Sequence, residues 1–163
     1  MNLQESYDLY KQRIKANRNY MDFRLKINRI IKERNLIPLM NDAKWLQLQH
    51  SITQLNFPPA YFAVLLIDQS LTHESIKNNE ATFEKSTPWY FGDWSPYYQQ
   101  GMPYFINIEY MKVKPLLRKH QGQLVADLIL DECNAFRALL LDLNIAFEED
   151  QQCFKIMGYD LIR

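Results

Sequence analysis

Glycine, histidine and cysteine are all scarce in this chain, at four, three and two in 163 residues, and no apolar run nears the length of a membrane span. Each shortage excludes a class of chemistry. Gly92, Gly101, Gly122 and Gly158 are too scattered for a loop that cradles phosphates. No Gly-x-Ser-x-Gly elbow exists to present a nucleophilic serine. His50, His73 and His120 share no ligand spacing. His73-Glu74 begins like a zinc-protease helix, but Lys77 stands where the second histidine is needed, so no metal and no cofactor is expected. Cys133 and Cys153 lack a paired framework and read as buried small hydrophobes, not as a disulfide. Cys133 also follows Asp131 and Glu132, which raise a thiol's pKa, the reverse of what a nucleophile needs. Met1 to Ser6 lacks the basic-then-apolar order of a signal peptide. The expectation is a cytoplasmic protein with no membrane segment.

The chain is rich in rings: ten Tyr, nine Phe and three Trp. With 47% hydrophobic residues it can build a proper core, and its length suits a single domain over 1–163. Net charge is zero but unevenly spread. Residues 1–35 carry nine basic side chains against four acidic, a net of plus five, so the remainder carries minus five. Such a split fits a basic helix lying against its own acidic body, or a surface for nucleic acid.

Apolar spacings of three and four predict helix over 5–34, through Tyr10, Ile14, Phe23, Ile27 and Ile30, in one piece or bent near Asn17. A second helix is expected at 42–54, capped by Asn41 or Asp42 and stopped by Phe57-Pro58-Pro59. Tyr61 to Ile67 reads as a buried strand, Asp68 to Pro88 as a long polar loop, and Tyr104 to Val113 as a strand closed by Pro115. Residues 116–127 read as a basic connection. The helix over 131–143 then runs into strands around Ile145–Phe147 and Cys153–Ile156, antiparallel because their turn is short. The fold class is α+β: N-terminal helices on a small, mostly antiparallel sheet, with a C-terminal helix and hairpin. Residues 1–40 form a helical extension on a body spanning 41–163.

Two clusters invite a functional reading. Glu148-Glu149-Asp150 reads as a turn between strands, where carboxylates are expected to stay solvated. The segment from Trp89 to Tyr98 combines large rings, Gly92, Pro96 and a carboxylate, which suits a binding surface or a loop folded down onto the sheet. No Lys or Arg lies between Pro88 and Glu109, which disfavours single-stranded nucleic acid there. The candidate partner-binding residues are Trp89, Tyr90, Asp93, Trp94, Tyr97 and Glu109, with no catalytic residue among them.

Asn41-Asp42-Ala43-Lys44-Trp45, Phe57-Pro58-Pro59-Ala60, Gly92-Asp93-Trp94, Ile108-Glu109-Tyr110, Leu143 to Glu149 and Ile156-Met157-Gly158-Tyr159 occur in this order. The set resembles a small bacterial family known as a domain of unknown function, similar in character to immunity proteins of polymorphic toxin systems. It covers about residues 41–160. Tyr110 stands where Trp is expected, and Ala146 where Pro is expected. The resemblance implies an accessory bacterial protein that binds another protein. The leading reading is a non-catalytic, immunity-type protein that blocks a cognate toxin domain, favoured by an acidic, aromatic-rich body without catalytic residues. An enzyme with a dispersed site, say Asp93, Glu109 and His120, and a nucleic-acid regulator using the basic helix are the alternatives.

Overall fold

The computed structural model describes residues 1–68, 72–98 and 100–162. The N-terminal helical stretch is two helices, α1 (Leu3–Ala16) and α2 (Tyr20–Glu33), broken at Asn17. Asn2 opens α1 with a reciprocal cap: its side chain accepts from the Glu5 N–H, and the Glu5 carboxylate accepts from the Asn2 N–H, each at 2.8 Å. Asn35, at φ 53°, ends α2 in the left-handed region that asparagine tolerates. The short strand β1 (Leu36–Pro38) follows, then α3 (Asp42–Ser51), capped by Asn41.

The main sheet is antiparallel, in the order β2 (Ala60–Leu65), β3 (Ile108–Lys114), β7 (Cys153–Met157), β6 (Phe147–Asp150). Before β7 comes α5 (Cys133–Asp142), whose Phe136, Leu139 and Leu140 are buried in the core with Phe154 and Ile156 of β7. The core is anchored by a ring stack. Phe105 lies between Tyr10 of α1, 4.3 Å away, and Trp45 of α3, 6.2 Å away, and its N–H donates to the Tyr10 hydroxyl at 3.0 Å. Tyr10 and Ile27 are buried, and Ile14, Phe23 and Ile30 half-buried, so the spacing identified the docked faces of both helices. Among the described residues no helix is long and apolar enough to cross a membrane.

Three features depart from expectation. The polar stretch read as a loop contains α4 (His73–Lys85), capped by the Thr72 side chain, with residues 69–71 outside the described residues. α4 covers the sheet's outer face largely through polar contacts. Lys112 pairs with Glu80 at 3.0 Å and with Glu84. Lys114, only 4% exposed, donates to the carbonyls of Glu84 and Ser86 at 2.5 and 2.6 Å, placing a cation at the negative end of the helix. The stretch read as a connection begins with β4 (Leu116–Lys119), which forms a ribbon with β5 (Leu128–Asp131) just beyond it. Finally, β8 (Tyr159–Leu161) pairs with β1, which ties residues 36–38 to the C-terminal strand.

The turn between β6 and β7 is two residues long, and both Gln151 (φ 49°) and Gln152 (φ 65°) are left-handed. That is the twist-matched hairpin turn, which favours Asn-Gly, and glutamine is strained in it by roughly 1–2 kcal/mol per residue. Replacing Gln151-Gln152 with Asn-Gly should raise the melting temperature. An unchanged or lowered value would show that the turn is not of this type.

Candidate functional site

From Pro88 to Pro103 the chain, Gln99 being outside the described residues, runs without helix or strand, so its backbone groups need partners from elsewhere. Three elements and the residues entering β2 supply them. The β4 residue Arg118 donates its N–H to the Pro88 carbonyl at 2.6 Å. Pro58 and Pro59, just before β2, offer carbonyls that accept from the Gly92 N–H at 3.2 Å and the Trp94 indole N–H at 2.8 Å. From β2, the Tyr61 hydroxyl donates to the Asp93 carbonyl at 2.6 Å, and its ring meets Trp94 edge-on at 4.9 Å. From α1, the Arg13 guanidinium donates to the carbonyls of Pro96 at 3.1 Å and Met102 at 2.6 Å while lying over the Tyr104 ring. Gly92 is required by this closeness: a Cβ there would sit 2.1 Å from the Pro59 carbonyl oxygen.

The pinning divides the segment into two halves. Pro88, Trp94 and Pro96 are buried. Trp89, Tyr90 and Phe91 are left 77%, 50% and 60% exposed, with Tyr97 and Tyr98 exposed beyond them. Trp94 was expected at the partner surface; instead it is core, because its indole N–H has its acceptor inside. Asp93 is half-buried and serves its own turn, accepting from the Ser95 N–H at 3.1 Å and from the Tyr98 hydroxyl. Burial by itself raises its pKa, but these hydrogen bonds outweigh it and hold the carboxyl below the usual value.

Glu109 does not join this group. It is the second residue of β3, whose first, Ile108, pairs with Leu65 at the far end of β2, whereas Tyr61 pairs with Val113. Four residues of strand, about 13 Å, separate those ends. Glu109 is ion-paired with Arg34 at a cleft of about 520 Å³ also lined by His73, Lys77, Glu80 and Tyr110. There the Tyr110 hydroxyl lies 2.9 Å from both Glu80 oxygens, and burial first, then Glu80, raises its pKa. The suggested enzyme trio is likewise dispersed: Asp93 engages Tyr98, Glu109 engages Arg34, and exposed His120 engages Asp127 at 3.1 Å on the ribbon. The Cys133 thiol is pushed up to about 12 by burial and then by Asp131. Among the described residues no group of three or more His, Cys, Asp or Glu is placed to hold a metal ion. Of the basic residues on α2, Arg24, Lys26, Arg29 and Lys32 are exposed.

A model for a family of unknown function, DUF6678, matches residues 27–161. The chain belongs to this family. The match begins within α2 and so includes residues 27–40, which were expected to lie outside it. It leaves out α1, and with it Tyr10 and Arg13. No curated protein and no solved structure matches the chain.

Sequence reading missed Phe91 as an exposed ring and misplaced Trp94. One signal was available: three consecutive rings, Trp89-Tyr90-Phe91, cannot all point inward from an extended chain, whose side chains alternate.

Trp94→Ala should cost about 3–5 kcal/mol of stability, while Trp89→Ala should leave the melting temperature almost unchanged. Equal effects would contradict the two-sided segment. The lowered Asp93 pKa means that its contribution to stability is present above the ordinary aspartate value and lost as pH falls through the lowered one. Tyr98→Phe should raise the Asp93 pKa in a carboxyl NMR titration; no movement would remove Tyr98 as the hydrogen-bond donor.

Proposed function

We propose that this chain is a non-catalytic protein-binding protein that captures and blocks a cognate bacterial toxin domain. The observation that carries the binding reading is the exposed run Trp89-Tyr90-Phe91 on a backbone held at Pro88 and Gly92 and anchored beyond by the Trp94 indole. Exposed rings on a fixed backbone bind with little ordering cost, and aromatic anchors dominate many interfaces. Tyr97 and Tyr98 widen the surface, with Asp93 beneath them as a positioning residue. The choice of a toxin domain rests on the sequence resemblance and on the net negative charge of the body, which suits a basic partner. The competing enzyme reading rests on the Glu109 cleft, where Arg34, Glu80 and Tyr110 converge.

Co-expression with a candidate bacterial toxin domain tests the proposal. The wild-type chain should restore growth, and Trp89→Ala and Phe91→Ala should each weaken toxin binding about thirtyfold, the equivalent of ~2 kcal/mol, with the fold intact. Undiminished protection by the double variant would move the interface elsewhere. Turnover of a small molecule by the purified chain, lost on Glu109→Gln, would replace binding with catalysis.

A further inference from the structure

Two strand edges of this fold are treated differently. β6 ends the main sheet, and its outer residues Glu148, Glu149 and Asp150 are exposed carboxylates, a charge guard against pairing with another chain. β5, which among the described residues pairs only with β4, carries Leu128 and Ile129 exposed at 42% and 45%. The loop leading into it carries Leu124 and Val125, exposed at 100% and 57%.

The backbone parity of this edge follows from one bond. Arg118 sends its N–H away from β5, to Pro88, so Arg118 and its partner Ile129 form a non-hydrogen-bonded pair. Ile129, and by alternation Asp131, therefore direct N–H and C=O outward from the ribbon. We propose that two copies of the chain pair antiparallel through β5 about a two-fold axis at Leu130.

Parity and charge select that register. Centring the axis on Leu130 sets Ile129 opposite Asp131 of the second copy, so all four outward-facing groups on each side are used. Centring it on Ile129 would oppose Asp127 to Asp131, and centring it on Asp131 would oppose that residue to itself, both like-charge pairs. In the chosen register Arg118, Ile129 and the second copy's Asp131 fall in one row across the joined sheet, opposite charges flanking an apolar residue. Leu124 and Val125 pass beyond residue 132 of the other copy, where they gain cover. The apolar side chains and strand edge amount to roughly 600 Å² per copy, the low end for a specific interface, which makes the dimer reversible. An isologous contact uses each edge once, so assembly stops at two. Trp89, Tyr90 and Phe91 follow Pro88 on the opposite side of β4 and stay free, so this pairing does not depend on the toxin-binding proposal.

Sedimentation velocity of the full chain across the micromolar range should show the mass rising from one chain to two. Ile129→Lys should hold it at one chain, and Trp89→Ala should leave the rise unchanged. Residues facing each other in a non-hydrogen-bonded antiparallel pair lie ~4.5 Å apart at Cα, within disulfide reach. Leu130→Cys should accordingly give a covalent dimer on oxidation, and Leu141→Cys on the exposed side of α5 should not. A monomer at every concentration, a dimer indifferent to Ile129→Lys, or open-ended aggregation would each overturn the proposal.

Discussion

Fifteen described residues between Pro88 and Pro103, all without helix or strand, have to satisfy their backbone on other parts of the molecule, and the candidate surface exists because they do. The Pro58-Pro59 carbonyls hold Gly92 and Trp94, Arg13 holds Pro96 and Met102, and Arg118 holds Pro88. These donors and acceptors belong to α1, the entry to β2, and β4, so the segment is fixed only once the body has assembled. A buried backbone group left unpaired costs more than a hydrogen bond returns, which makes the arrangement cooperative. The rings outside are a consequence of the bonds inside.

The same bonds give α1 its place. The helix lies outside the residues that match the family, yet Tyr10 stacks on Phe105 and Arg13 closes on the ring segment. The N-terminal positive charge is therefore partly structural. Arg13 is bound to carbonyls and Arg34 to Glu109, while Lys26, Arg29 and Lys32 remain exposed.

Legibility in the sequence followed burial. α1, α2, α3, α5 and the β6–β7 hairpin were readable because each buries a regular apolar face, such as Tyr10 with Ile14 or Phe136 with Leu139 and Leu140. α4 was not, since its large apolar residues are only Ile76 and Phe83, and much of its hold on the sheet is polar and comes from Tyr110, Lys112 and Lys114 of β3. The β4–β5 ribbon was missed for the opposite reason: β5 exposes apolar residues, so no polar alternation marks it. Within the site, composition located the segment but could not say which tryptophan turns inward. That depends on Pro59, thirty-five residues away in the chain, offering an acceptor to the Trp94 indole. Glu109 was grouped with the rings by proximity in sequence, and strand register separates them.

The indole resonances of the three tryptophans test the central claim most directly. Trp45 and Trp94 are buried and Trp89 is exposed. Titration of the nitrogen-labelled chain with a toxin domain of the proposed kind should shift or broaden the Trp89 indole signal while those of Trp45 and Trp94 stay in place. Saturable binding that leaves Trp89 unmoved would contradict the assignment of the pinned, ring-bearing segment as the partner surface.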